Sequence, residues 1–110
     1  MKRILIVDDM REVYEEIVAT SREGDVLDYA RNPPEAIRMM DEDRNYNRVV
    51  TDYHLGENYP NGGIKVVRAA TERGLKCILM STKNHQKEAI EAGANCFVFK
   101  RELLQGSLNE

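Results

Sequence analysis

Three short apolar runs in this chain each stop at a charged residue. Ile4-Leu5-Ile6-Val7 runs into Asp8 and Asp9, Val49-Val50-Thr51 into Asp52, and Cys96-Phe97-Val98-Phe99 into Lys100. Short, continuous apolar runs of this kind suit strands buried on both faces, as in a parallel sheet. All strand ends of one kind then lie on one edge of the sheet, and ligands bind along that edge. Folding would therefore bring three carboxylates and an ammonium together from distant parts of the chain. Such a set suits a divalent cation and a phosphoryl group.

The segments between these runs alternate with them strictly. Residues 3–7 read as a strand, and residues 11–22 as a helix whose i,i+4 pairs Val13/Ile17 and Tyr14/Val18 make an apolar stripe, with Gly24 as a stop. Residues 26–30 form a second, weaker strand. Pro33 or Pro34 opens a second helix, since proline suits the first turn, and its apolar face is Ala36, Ile37, Met39 and Met40. Residues 48–51 are a third strand, followed by a long loop rich in Gly, Asn and Pro up to Gly63. Residues 64–73 read as a third helix with Ile64, Val67 and Ala70 or Thr71 on one face, ended by Gly74. Residues 76–80 are a fourth strand, 85–92 a short helix ending at Gly93, and 95–99 a fifth strand. Five βα units with right-handed crossovers leave few topologies, and the flavodoxin-like, doubly wound order 2-1-3-4-5 is the expected one. Strands 1 and 3 are then neighbours, so Asp8, Asp9 and Asp52 meet at the switch point.

With 110 residues the chain is expected to be a single domain, residues 1–110. Hydrophobic residues at 42% are enough for a core. The net charge of −3 and the scattered lysines and arginines give no nucleic-acid footprint. No apolar run approaches a membrane span, and the N-terminus enters a strand almost at once, which points to a cytoplasmic protein without a signal peptide. Cys77 and Cys96 read as two reduced, buried thiols. His54 and His85 have no identifiable partner in the sequence and read as solvated loop residues.

Taken together, Ile4-Leu5-Ile6-Val7-Asp8-Asp9, Val49-Val50-Thr51-Asp52, Ile78-Leu79-Met80-Ser81-Thr82, Glu91-Ala92-Gly93-Ala94-Asn95 and Phe97-Val98-Phe99-Lys100 resemble the receiver domain of two-component response regulators, over nearly the whole chain. The resemblance implies a phosphoacceptor, Asp52, that takes a phosphoryl group from a phosphohistidine on a sensor histidine kinase or a histidine phosphotransfer protein. It implies Mg²⁺ held by Asp9, Asp52 and the backbone carbonyl of His54, with Asp8 acting through a bound water. Ser81, with Thr82 beside it, would hydrogen-bond the phosphoryl group, Lys100 would pair with it, and Phe97 would be the aromatic that changes rotamer. His54 and Lys83 would flank the path of hydrolytic water. The protein would be a phosphoacceptor that assists its own phosphorylation and dephosphorylation rather than an enzyme.

The chemistry asks for these residue types independently. A carboxylate attacking phosphorus brings negative charges together. Mg²⁺ prefers oxygen ligands and keeps several waters, so one or two carboxylates suffice. A metal and an ammonium neutralise charge on the equatorial oxygens.

Simpler readings exist for each residue. Asp8 and Asp9 could cap the first helix, but Asp52 and Lys100 would then go unexplained. Phe97 could equally be plain core. A phosphatase of the haloacid dehalogenase type would need an aspartate two residues after Asp8, where this chain has Met10. A degenerate receiver, acting as a phosphorylation-independent docking module, is the alternative that the departures from the family pattern favour. Gly56 stands where the family usually has proline, the loop before the third helix is longer than usual, and Arg101 rather than proline follows Lys100. The Lys100–Arg101 peptide is therefore expected to be trans.

The last helix is also short. Leu103, Leu104 and Leu108 are the apolar side chains available there, and Gly106 weakens the helix. A strip beside strands four and five is thus expected to stay exposed. In receivers the surface of the fourth helix, fifth strand and fifth helix meets partners, so a homodimer or a partner helix is expected there.

Overall fold

The computed structural model describes residues 2–43 and 45–104. Five strands and five helices alternate along it. They are β1 (Arg3–Val7), α1 (Arg11–Thr20), β2 (Val26–Ala30), α2 (Pro33–Glu42), β3 (Arg48–Asp52), α3 (Gly62–Glu72), β4 (Cys77–Ser81), α4 (Gln86–Ala92), β5 (Cys96–Phe99) and α5 (Lys100–Leu104). The strands form one parallel sheet in the order β2-β1-β3-β4-β5, the flavodoxin-like arrangement expected.

The sheet separates two apolar layers. Leu5, Val7, Val49, Cys77 and Leu79 face Ala36 and Met40 of α2, Ile64, Val67 and Ala70 of α3, and Ala89 of α4. Ile4, Ile6, Val50 and Met80 face Val13 and Ile17 of α1 and Leu103 of α5. Alternation along each strand sends successive side chains to opposite faces, which is why runs such as Ile4-Leu5-Ile6-Val7 are apolar throughout.

Local chemistry sets the element ends. Asn32 Oδ1 accepts from the Glu35 amide at 2.9 Å and Pro33 fills the first turn of α2. The first helix ends earlier than its pattern suggests. Ser21 is extended and its hydroxyl donates to Val18 O at 2.7 Å, so α1 stops at Thr20 and Gly24 belongs to the following turn. Val18 is 41% exposed, which narrows the expected stripe to Val13 and Ile17, with Tyr14 half-buried. Of the two cysteines only Cys77 is buried. Cys96 is exposed, because β5 is an edge strand with no buried residue.

The long loop after β3 is tied down. Leu55 is buried, Gly56 adopts a φ of +97°, and the Gly63 amide donates to Tyr53 O at 3.0 Å. A Cβ on Gly63 would lie 2.3 Å from Asp52 O and 2.6 Å from Tyr53 Cα. Neither backbone atom can move without shifting the end of β3. Gly63→Ala is therefore expected to destabilise the fold by about 2 kcal/mol or more, in the range of overpacking within a rigid site. A urea midpoint equal to that of the wild type would contradict this.

On the face shared by α1 and α5, Leu103 is buried, while Leu104, Ile78 and Val98 are only partly covered. Ile90 of α4 is 47% exposed and Phe99 of β5 is 39% exposed. Among the described residues, apolar surface is thus open along α4 and β5. Gly106 and Leu108 lie outside the described residues. No peptide bond among the described residues is cis, and the Lys100–Arg101 bond is trans. No helix among the described residues is long and apolar enough to cross a membrane.

Candidate phosphoacceptor and metal site

The ends of β1, β3 and β5 converge as the strand order requires. Lys100 Nζ lies 2.9 Å from Asp8 Oδ2 and 3.0 Å from Asp52 Oδ2. Asp8 and Asp52 are both buried, whereas Asp9 is exposed at the rim. Carboxylate oxygens of all three lie within 4.8 Å of one another.

Asp8 and Asp52 are each held from the backbone. Asp8 Oδ1 accepts from the Met10 amide at 2.8 Å, which turns the chain out of β1. This contact is local to the turn. Met10 is the residue at the start of α1, and no side chain caps that helix, so capping does not account for Asp8 and Asp9. Asp52 Oδ1 accepts from the Tyr53 amide at 2.9 Å, and Lys100 donates to Oδ2. The backbone oxygen of Asp8 accepts from the Tyr29 hydroxyl at 2.7 Å, which fixes this corner to β2.

The electrostatics follow from burial. Asp8 is pushed up to about 6, by desolvation first, against the lowering effect of its contact with Lys100. Asp52 is raised for the same leading reason, with Lys100 opposing. Burial alone works against the Lys100 ammonium, but the Asp8 and Asp52 carboxylates outweigh it and raise its pKa. One ammonium thus serves two buried carboxylates and leaves excess negative charge. Asp8 Oδ2 sits close to the ammonium yet accepts no well-aligned hydrogen bond. A small hard cation fits this cluster, since its donors are all carboxylate oxygens and its charge is unbalanced.

Of the remaining expected residues, Ser81, Thr82 and His54 lie along the same edge and Phe97 lies within β5. Ser81 ends β4 and is buried, one position beyond the Met80 that pairs with Asp52, and its Oγ accepts from the Lys83 amide at 3.2 Å. Thr82 is exposed and lines, with Phe99, Lys100 and Arg101, a recess of about 300 Å³. Phe97 is half-buried. It packs against the layer under α2, α3 and α4, and meets Phe99 edge-on at 5.2 Å. His54 follows Tyr53 with its side chain exposed.

The histidines are not isolated. The His85 ring lies parallel to Tyr53 with centroids 3.7 Å apart, and His54 meets Tyr53 edge-on at 4.9 Å. The Tyr53 hydroxyl sits 3.1 Å from both carboxylate oxygens of Glu88, and its pKa is raised by burial and by that carboxylate. The only trace of this cluster in the sequence is the i,i+3 spacing of His85 and Glu88, which puts them on one side of a helical turn.

No family model matches the chain, and no curated protein does either. Solved structures match well. A LuxR-family two-component response regulator from Aurantimonas sp. SI85-9A1 is 29% identical, with a TM-score of 0.75 over 94% of this chain and 79% of that one. The chemotaxis response regulator CheY4 of Vibrio cholerae is 19% identical, with a TM-score of 0.82 over 98% and 96% of the two chains. A response regulator from Burkholderia pseudomallei, solved with a phosphorylated aspartic acid, calcium ion and citrate, is 18% identical. Its TM-score is 0.84 over 98% of this chain and 65% of that one. This chain has the fold of the response-regulator receiver domains, of the chemotaxis-regulator kind.

Proposed function

We propose that the chain is the phosphoacceptor of a two-component or phosphorelay system, with Asp52 as the acceptor. The observation that carries this reading is one ammonium shared by two buried carboxylates, with a third carboxylate beside them, at the β1/β3 switch point. An oxygen of Asp52 attacks the phosphorus of a phosphohistidine on a sensor kinase or phosphotransfer protein. The O–P bond forms, the N–P bond breaks, and its electron pair stays on the imidazole nitrogen of the donor. Lys100 follows the charge onto the phosphoryl oxygens, and the Ser81 hydroxyl donates to one of them. Asp8, Asp9 and Asp52, with the His54 carbonyl, would hold Mg²⁺, which when bound neutralises charge between the carboxylates and the phosphoryl group. The partly open surface of α4, β5 and α5 is then the face offered to a second copy or a partner helix.

Adding beryllofluoride and Mg²⁺ to the ¹⁵N-labelled protein tests the reading. Saturable amide shifts around Asp52 are expected. Silence there would favour the phosphorylation-independent docking module instead.

The lifetime of the phosphorylated form should depend on the exposed His54 and Lys83 side chains, which flank the site along the chain. Bulk there hinders in-line attack by water, and a cation steadies the phosphoryl oxygens. His54→Ala or Lys83→Ala is expected to change the dephosphorylation rate by about threefold to tenfold, that is roughly 1 kcal/mol in the barrier, with little change in stability. Equal lifetimes in the wild type and both variants would exclude this role.

A further inference from the structure

Tyr53 directly follows the proposed phosphoacceptor and is bonded in two directions at once. Its amide is shared. It donates to Asp52 Oδ1 at 2.9 Å and to Met80 O at 3.0 Å. At the far end of its rigid ring, the hydroxyl lies 3.1 Å from both oxygens of the Glu88 carboxylate and 3.2 Å from Asn61 Oδ1. The charged acceptor makes the stronger bond. His85 stacks on the ring with an interplanar angle of 2°, and its Nδ1 is 3.6 Å from Glu88. His85 precedes α4 and Glu88 sits in its first turn. One residue, through its amide at one end and a stiff ring at the other, therefore spans from the Asp52 carboxylate to the start of α4.

The helix at the far end is lightly anchored. Of its seven residues only Ala89 is buried. The contacts to Tyr53 hold the first turn of α4, while the rest of the helix packs on α3 and β5.

We propose that Tyr53 is a coupling residue, converting a change at Asp52 into a displacement of α4 through Glu88 and His85. The inference rests on the phosphoacceptor reading above. Phosphorylation turns the Asp52 carboxylate into an acyl phosphate, whose esterified oxygen and neutral carbonyl oxygen are both weaker acceptors than the carboxylate was. The shared Tyr53 amide then tips toward Met80 O. The peptide plane turns, and the ring carries that turn to Glu88 and His85. Such a motion biases α4 only because the two states make different contacts at its first turn.

The test uses the whole ¹⁵N-labelled chain titrated with beryllofluoride in Mg²⁺. In the wild type, saturable shifts are expected at Asp8, Asp52 and Lys100 and also across Gln86–Ala92. Tyr53→Phe keeps the ring and the amide but loses the hydroxyl. Its site resonances still respond, and the α4 response relative to the site response is expected to fall by about twofold or more. Glu88→Gln keeps an acceptor for the hydroxyl and is expected to preserve that ratio, whereas Glu88→Ala lowers it as Tyr53→Phe does. A purely structural role for Tyr53 would lower the melting temperature without altering the ratio. The coupling is overturned if the ratio is the same in the wild type and Tyr53→Phe, or if the wild-type site responds while α4 does not. If the wild-type site itself does not respond, the phosphoacceptor reading fails and the coupling falls with it.

Discussion

Asp52→Asn is expected to take up no phosphoryl group from acetyl phosphate and Mg²⁺, under conditions that convert the wild type. The amide has no nucleophilic oxygen comparable to a carboxylate, and no other acidic residue ends β3. Asp8 is an inadequate substitute, since it has no exposed surface, whereas Asp52 keeps a little. The fold should survive. The side-chain carbonyl of the introduced asparagine can still accept from the Tyr53 amide, and Lys100 keeps Asp8 as its partner. Intact mass after incubation is the measurement, with a melting curve to establish that the variant is folded. Stoichiometric uptake by a folded Asp52→Asn variant would mean that the acceptor is elsewhere.

Without a divalent cation, the site is expected to weaken the fold at neutral pH and to relax as the pH falls. The folded protein holds the Asp8 proton up to about 6, whereas the unfolded carboxyl loses it near 3.8. Between those values the folded state binds more proton than the unfolded one, so stability falls as pH rises through the window and is lowest above it. Each pKa unit is worth about 1.4 kcal/mol, so the Asp8 contribution approaches roughly 3 kcal/mol at neutral pH. Asp52 shifts in the same direction and adds to it. Lys100 changes this balance only at the alkaline end: its raised pKa contributes stability at all lower pH, which is lost as the pH rises through it. Asp8→Asn is therefore expected to be more stable than the wild type at pH 7 without metal, by about 2 kcal/mol, and to lose that advantage toward pH 4. Mg²⁺ should stabilise the wild type by ordinary linkage and the variant less. Urea titrations at both pH values, with and without Mg²⁺, measure all of this. A variant less stable than the wild type at pH 7 in chelator would show that the buried carboxylate is well satisfied.

Much of this architecture is legible because parallel strands cannot hide their pattern. Runs such as Ile4–Val7 are apolar on both faces, and the charged residue that stops three of them marks the sheet edge where the carboxylates and Lys100 meet. The end of α1 is not legible, because Ser21 competes for the Val18 carbonyl through its own side chain, a local contact without periodicity. Cys96 reads as buried because an edge strand and a central strand look alike in sequence. His85 reads as solvated because its partners, Tyr53 and Glu88, are brought to it by the packing of α4 beside the loop after β3. Stacking between loop residues leaves no spacing rule to read. Lys100 reaches both carboxylates although Arg101 replaces the expected proline, since β5 and the start of α5 suffice to aim it.

The hydrogen bond between the Gly63 amide and Tyr53 O closes residues 54–62 into a loop with a fixed neck. Chain added at the exposed Glu57 and Asn58, clear of the buried Leu55, changes mainly loop entropy, about 0.6 kcal/mol for each doubling of length. The site below is insulated from that change, because Tyr53, next to Asp52, is joined directly to Gly63 in the first turn of α3. This stretch is therefore where such a domain can vary in length, accept an inserted peptide, or acquire a new recognition surface while its acidic centre stays as it is.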